Sequence, residues 1–318
     1  MKIAKLMSHM GVDSMLHSAL GDKLTIFRYN DPTGWAEDDD LPFPVVRGNI
    51  DPNIDWDIVI VDDMVTHQHI FSGPQLSVKQ YVWYCHGTYD TWEGFQLYAN
   101  THFNDYAVIF TDYYKQSIVL NWAKFRIVDS ITQNIFLPDQ CFVPVSTTRN
   151  NKIFTVGNQF IPVCQIYYGF DHIVRPVLDT LQQLGPETYS HYGWPPAQCN
   201  YIQPEYFKGH VRLSELKDCN ASIHPSGVRS VGFALLECLA AGIPVITTEK
   251  FDIPRSEHNN SIIMSFSSED MLREANELLQ DPEKATEMGK RGQEMAHRIF
   301  NKEKWVDNVV PWLENLQK

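Results

Sequence analysis

Ala221-Ser-Ile-His-Pro-Ser-Gly-Val-Arg-Ser-Val-Gly-Phe-Ala-Leu-Leu-Glu-Cys-Leu-Ala-Ala-Gly-Ile-Pro-Val-Ile-Thr-Thr248 reads as strand, polar loop, helix and strand. Ala221 to Ile223 is a short apolar run that stops at Pro225. The loop Ser226 to Ser230 is rich in Gly and Ser and opens a helix near Val231. Phe233, Leu236, Leu239 and Ala240 recur at helical spacing, so one helix face is apolar. Gly242 ends the helix, Pro244 forbids its continuation, and Pro244-Val245-Ile246 starts another buried strand. Backbone N–H groups at a helix start, with no side chain at Gly232, form an anion site. Glu237 is the one charge in this apolar helix, placed about a turn beyond that site, where a carboxylate can grip a pair of ribose hydroxyls.

This stretch resembles the nucleotide-sugar site of retaining glycosyltransferases of the GT-B fold, the glycosyl transferases group 1. The shared residues are Gly232-Phe233, Glu237 and Ala240-Ala241-Gly242-Ile243-Pro244-Val245. A second family Glu, which lies beside the transferred sugar, is replaced here by Arg229. The resemblance implies an α/β chain of two Rossmann-like domains facing across a cleft. Residues 1–148 are expected as the N-terminal acceptor domain, 149–298 as the nucleotide-sugar domain, and 299–318 as a helix crossing back to the N-terminal domain. The alternative is an ordinary helix–strand unit of an α/β domain with a solvated Glu.

Composition agrees with a globular chain of this size. Its 318 residues suffice for two ordinary domains, and the hydrophobic fraction of 43% is normal. A net charge of −13 argues against a general polyanion-binding surface, though not against a local basic patch. No apolar run approaches a membrane span, and Met1 to Leu6 lacks the apolar core of a signal peptide. Cys85, Cys141, Cys164, Cys199, Cys219 and Cys238 are scattered without a Cys-x-x-Cys pair. That pattern fits reduced thiols and a cytoplasmic location.

In the N-terminal half, Lys2 to Met7 alternates into a short strand, and the loop from Ser8 leads to a helical pattern over Met15 to Leu20. The family's first strand-to-helix loop is Gly-rich and approaches the donor phosphates; Gly11 is what remains of it here. Lys23 to Tyr29 is a second strand. Asp57 to Asp63 is a buried strand, apolar on both faces as in parallel sheets, with Asp62 and Asp63 at its carboxyl end. With His67 and His69 these could ligate a metal, although turn residues at a strand end are the plainer reading. Gln80 to Cys85 is a strand that delivers His86, followed by Gly87. A His-Gly in that place resembles the family's N-domain histidine, which faces the transferred sugar; a purely structural histidine is the alternative. Val108 to Asp112 is a strand and Tyr113 to Trp122 a helix, and Phe125 to Val128 with Ile135 to Pro138 completes the N-terminal half.

Ser146 to Asn151 is a polar run and the expected boundary. Lys152 to Asn158 restarts the pattern with a strand ending at Gly157, similar to the first strand of the family's nucleotide domain. The family's Arg and Lys after that Gly, which clamp the diphosphate, are absent; Asn158, Gln159 and Gln165 stand there, and Arg229 and Lys208 are the substitutes. Phe170 to Leu184 reads as a helix, Thr188 to Tyr192 as a strand and Leu213 to Leu216 as a short helix. Ser267-Ser268-Glu269-Asp270 starts a capped helix, and Pro282 opens the next. Trp305, Val309, Trp312, Leu313 and Leu316 make the last segment amphipathic.

The expected activity is retaining glycosyl transfer from a nucleotide-diphosphate sugar, taken as a UDP-sugar, to a hydroxyl of a glycan or other soluble acceptor. Ser230, Val231, Gly232, Phe233 and Glu237 would bind the donor with Gly11 and Gly157, while His86, Arg229 and Lys208 are the candidate catalytic residues. No cofactor or metal is required by this scheme. Asp38-Asp39-Asp40 contains the Asp-x-Asp of metal-dependent GT-A enzymes, but it lies in a polar loop with no buried strand before it. Two alternatives stay open: a phage-type enzyme glucosylating a hydroxymethylated DNA base, and a non-catalytic nucleotide-sugar-binding relative.

Overall fold

The computed structural model describes residues 1–7, 10–29, 41, 43–62, 64–86, 105–111, 113–123, 125–156, 174–185, 187–192, 213–225, 232–248, 253, 255–258, 260–265 and 267–318. The chain divides into two compact units, Met1–Pro138 with Asn301–Lys318, and Asp139–Phe300.

The first unit contains β1 (Ile3–Leu6), α1 (Met10–Leu20), β2 (Leu24–Arg28), β3 (Val46–Arg47), β4 (Asp55–Val61), α2 (Met64–Ser72), β5 (Ser77–Cys85), β6 (Asp105–Phe110), α3 (Tyr113–Trp122) and β7 (Arg126–Thr132). The strands form one parallel sheet in the order β3-β2-β1-β4-β5-β6-β7. The order reverses between β1 and β4, with Ile3 level with Ile58 and Lys5 level with Ile60. Such a switch point opens a crevice at the strands' carboxyl ends. One face of the sheet packs Ala4, Leu6, Val59, Val61, Trp83 and Phe110 into an apolar core. The alternation expected for Lys2 to Met7 implied a half-solvated strand, yet all four residues of β1 are buried. A central parallel strand is covered on both faces, so its polar residue needs an internal partner.

The second unit contains β8 (Ile153–Val156), α4 (Arg175–Leu181), β9 (Tyr189–Tyr192), α5 (Leu213–Leu216), β10 (Ala221–His224), α6 (Phe233–Ala240), β11 (Val245–Thr248), α7 (Arg255–His258), β12 (Ile262–Ser265), α8 (Ser268–Gln280) and α9 (Pro282–Ile299). Its five strands are parallel in the order β12-β11-β10-β8-β9, so the switch point lies between β10 and β8. Ser267 Oγ accepts from the Asp270 amide at 3.1 Å and starts α8. Asp281 Oδ1 accepts from the Lys284 amide at 2.9 Å, and Pro282 follows it to start α9. Gly242 ends α6 with a φ of 67°, where a Cβ would also meet the Val145 side chain at 2.7 Å. Gly289 lets α9 approach closely, because a Cβ there would overlap the Gly242 carbonyl oxygen.

The polar run at Ser146 to Asn151 is folded into the second unit by Arg149. Its guanidinium donates to the carbonyls of Lys217 (3.1 Å), Cys219 (2.9 Å), Gly242 (3.2 Å) and Ala285 (3.3 Å) and to Thr286 Oγ1 (3.3 Å). One planar fork thus joins the approach to β8, the segment before β10, the end of α6 and the start of α9.

The last helix, α10 (Lys302–Asn315), belongs to the first unit. Asn301 Oδ1 caps it, accepting from the Lys304 amide at 2.8 Å. Trp305, Val309 and Leu313 are its buried stripe. Trp305 lies 5.5 Å from the Phe136 ring, and Trp312 Nε1 donates to Asp129 Oδ2 at 3.0 Å.

Several local readings need correction. The helix expected to open near Val231 begins at Phe233 among the described residues. Over Phe125 to Val128, a run to which the sequence assigns no element, a strand extends from Arg126 to Thr132. The short edge strand β3 and the outer strand β12 were not anticipated, because Val46-Arg47 carries too little pattern and Ile262 to Ser265 no alternation. His67 and His69 lie on α2 rather than in a turn.

Candidate functional site

In the second unit the site is built at the carboxyl end of β10. Leu235 and Leu236 donate to the Gly232 carbonyl at 3.1 and 3.2 Å, so Gly232 is the helix N-cap. Its backbone is extended, it is exposed, and a Cβ there would meet nothing within 4 Å. The helix therefore opens at a cap without a side chain, and a helix N-terminus of that kind favours an anion. Phe233 is half-buried on the first turn. Glu237 is only 5% exposed. Burial first, and then the Glu237 charge, hold the Cys141 thiol well above its ordinary range.

Around Glu237, Leu235, Leu236, Cys238, Leu239 and Ala240 are buried, while Phe233 and Ala234 are half-buried. Arg229, Ser230, Val231, Lys208 and Gly157 lie outside the described residues. A residue that sequence reading passed over also stands here. His224 ends β10 at the switch point, 8% exposed, with Nε2 3.2 Å from Ser222 Oγ and its carbonyl accepting from Thr247 Oγ1 at 2.9 Å. Burial pushes its imidazole down to about 3, so it is neutral at neutral pH. Its signal in the sequence was a histidine directly before the proline that ends a buried strand.

In the first unit the strand ends carry charge instead. Lys5 Nζ lies 2.6 Å from Asp13 Oδ1 and 2.8 Å from Asp62 Oδ2, and it donates to the Leu6 carbonyl at 3.0 Å. Lys5 and Asp13 are fully buried and Asp62 is 1% exposed. Burial alone would lower the Lys5 ammonium, but the two carboxylates more than offset it and hold the group charged. Burial likewise opposes ionisation of Asp62, and Lys5 with His86 overcomes it, holding the carboxyl well below the usual range. His86 follows β5, with Nε2 3.4 Å from Asp62 Oδ2 and a side chain 19% exposed. Tyr84 beneath it is fully buried, its hydroxyl 3.7 Å from Met15 Sδ. Burial first, and Asp62 second, push that phenol far up.

Gly11 lies in the first turn of α1, not in the loop before it. The metal reading of Asp62 with Asp63, His67 and His69 finds Asp62 committed to Lys5 and His86, while Asp63 lies outside the described residues. Asp38 to Asp40, Cys164 and Cys199 also lie outside them. Among the described residues no cluster of His, Cys, Asp and Glu is placed to hold a metal ion. Cys85, Cys141, Cys219 and Cys238 are free thiols, and no described helix is long and apolar enough to cross a membrane.

Two parallel Rossmann-like units, one of them joined by the chain's last helix, define a GT-B protein, and solved structures share that fold. Anabaena HepE in complex with UDP and glucose is 13% identical over 99% of each chain, with a TM-score of 0.71. Sucrose-phosphate synthase from Thermosynechococcus elongatus is 11% identical over 99% of each, with a TM-score of 0.69. A glycosyltransferase from Rickettsia africae is 12% identical over 100% of this chain and 98% of its own, with a TM-score of 0.64. No curated protein matches by sequence. Residues 206–295, which include β10, α6 and Glu237, match the family model for glycosyl transferases group 1. The chain therefore has the GT-B fold, and its segment 206–295 resembles the glycosyl transferases group 1.

Proposed function

We propose that the chain is a retaining glycosyltransferase that moves a sugar from a UDP-sugar to a hydroxyl of a glycan or another soluble acceptor. The observation that carries this reading is Glu237, buried one turn into a helix that opens at a side-chain-free cap inside the family-matched segment. The similar HepE structure is a complex with UDP and glucose, which supports the choice of uridine.

In this reading Glu237 holds the ribose hydroxyls. Amides at Ser230, Val231 and Gly232 meet the diphosphate, and the α6 dipole adds partial positive charge. Arg229 and Lys208 supply full charge where negative charge develops on the leaving group. His86 hydrogen-bonds the transferred sugar. The anomeric C–O bond to the β-phosphate breaks while the acceptor oxygen forms its bond on the same face, and the acceptor's proton passes to a β-phosphate oxygen. Arg229 in the place of the family's Glu makes the sugar end of the site more basic.

The test is a thermal-shift and hydrolysis screen against UDP-, GDP-, ADP- and TDP-sugars. Stabilisation by UDP-sugars with slow release of UDP is the expected result. Stabilisation without turnover in the presence of acceptors would favour a binding module, and no stabilisation by any of them would overturn the donor site.

A further inference from the structure

We propose that Lys5, Asp13 and Asp62 are positioning residues for His86, fixing its proton on Nε2 so that Nδ1 is the acceptor for a hydroxyl of the donor sugar. The proposal rests on the functional reading only in placing His86 beside the sugar.

Three features carry it. The first is position. Lys5 is on β1, Asp62 directly follows β4 and His86 directly follows β5, so all three stand at or beside the strand-order reversal where α/β sheets bind ligands. The second is enclosure. Lys5, Asp13 and Asp62 are sealed from water, and their distances of 2.6 and 2.8 Å leave Lys5 bridging the two carboxylates. Buried ions are costly, and such a bridge persists only with close pairing on every side. Its product is a carboxylate, Asp62, whose position is set by a rigid core cation rather than by a mobile side chain. The third is the join to the partly exposed ring. His86 Nε2 has less than 1 Å² exposed and lies 3.4 Å from the same Asp62 oxygen that meets Lys5, while the side chain as a whole stays 19% exposed. An ionised carboxylate only accepts, so the ring nitrogen facing it carries the hydrogen. In a neutral imidazole the other nitrogen is then an acceptor, and a carboxylate behind a histidine is a means of setting tautomer and ring angle together.

Asp13 plays a different part from Asp62. It comes from α1 and gives Lys5 a second carboxylate, so the ammonium is not drawn wholly onto Asp62. The contacts run in order from Asp13 through Lys5 and Asp62 to His86. The cluster performs no proton transfer in this account; it orients one ring.

The experiment uses the full chain labelled with 15N-histidine. Long-range 1H–15N correlations report the tautomer of each ring, and the His86 signals are those lost in His86→Gln. With the pH set well above the ordinary imidazole range, the wild type is expected to show its ring hydrogen on Nε2. In Asp62→Asn the amide oxygen stays with Lys5 and the NH2 group faces His86, so the proton is expected to move to Nδ1. The same variant is expected to lose about 10–100-fold in kcat for nucleotide-sugar cleavage, the usual cost of removing such a partner, with UDP Kd within about twofold. An Nδ1-protonated His86 in the wild type, or an unchanged tautomer in folded Asp62→Asn, would overturn the proposal. A fall in UDP affinity matching the fall in kcat would also overturn it, since that marks a general structural defect. If Asp62→Asn does not fold, the wild-type tautomer decides alone. If the wild type binds no nucleotide sugar, the functional reading fails while the tautomer still decides the network.

Discussion

The two units place polar chemistry at the same point of the same architecture, the carboxyl ends of strands at a switch point, and they stabilise it by different means. The first buries full charges, with Lys5 between Asp13 and Asp62 and His86 at the end of the row. The second buries a neutral histidine, His224, and turns Arg149, just before β8, onto the backbone carbonyls of Lys217, Cys219, Gly242 and Ala285. Its helix α6 buries Glu237, the carboxylate proposed to hold the ribose. A charged cluster fails abruptly when one member is removed. A neutral histidine and a carbonyl-binding arginine fail gradually, through pH and through hydrogen bonds lost one at a time.

The largest effect expected from this contrast is in Lys5→Met. It leaves two carboxylates facing each other in a dry core, and removing one partner of a buried pair costs about 3–5 kcal/mol. Urea denaturation followed by hydrogen exchange should show β1 and β4 losing protection, with β10 and β11 much less affected. A loss below about 1 kcal/mol would mean that the cluster is wetter than its burial suggests.

Arg149→Ala comes next. It strands carbonyls of Lys217, Cys219, Gly242 and Ala285, but Arg149 is only partly buried, so about 2–3 kcal/mol is expected. Here the loss of exchange protection should fall in the second unit. An effect confined to the first unit would break the assignment of residue 149 to the second.

The smallest effect concerns His224. Its folded value of about 3 lies below the unfolded value near 6.5, so the unfolded chain binds the extra proton between them. Its contribution is therefore present above about pH 6.5 and is lost as pH falls towards 3. Between pH 7 and pH 5 the second unit should lose about 2 kcal/mol through this residue. His224→Gln should flatten that slope, as measured by denaturation at the two pH values. An unchanged slope in the variant would assign the pH dependence to other groups.

The same contrast explains what could be read from the sequence. In the second unit the signals are local. Apolar spacing over Phe233 to Ala240, the stop at Gly242 and the strand after Pro244 lie within one stretch, and the expected elements are found there with a shift of two residues at the helix start. Glu237 stood out because it was the only charge on an apolar helix. In the first unit the strands Asp57 to Val61 and Gln80 to Cys85 were legible as apolar runs, and His86 stood out as a histidine at a strand end. Lys5 and Asp13 did not. Lys5 sits between Ala4 and Leu6 and reads as the solvated side of an alternating strand; its burial follows from β1 lying between β2 and β4, a neighbour relation that no local pattern encodes. Asp62 was legible as a strand-end carboxylate, but its partner was sought among nearby histidines rather than in the strand beside it.

The most direct test of the account is calorimetric titration of UDP into the wild type and Glu237→Ala. Loss of a charged hydrogen-bond acceptor for the ribose is worth about 3 kcal/mol, so Kd should rise roughly 100-fold while the melting temperature of the unliganded protein stays close to that of the wild type. UDP binding of equal strength in both proteins, or none by the wild type at millimolar concentration, would contradict it.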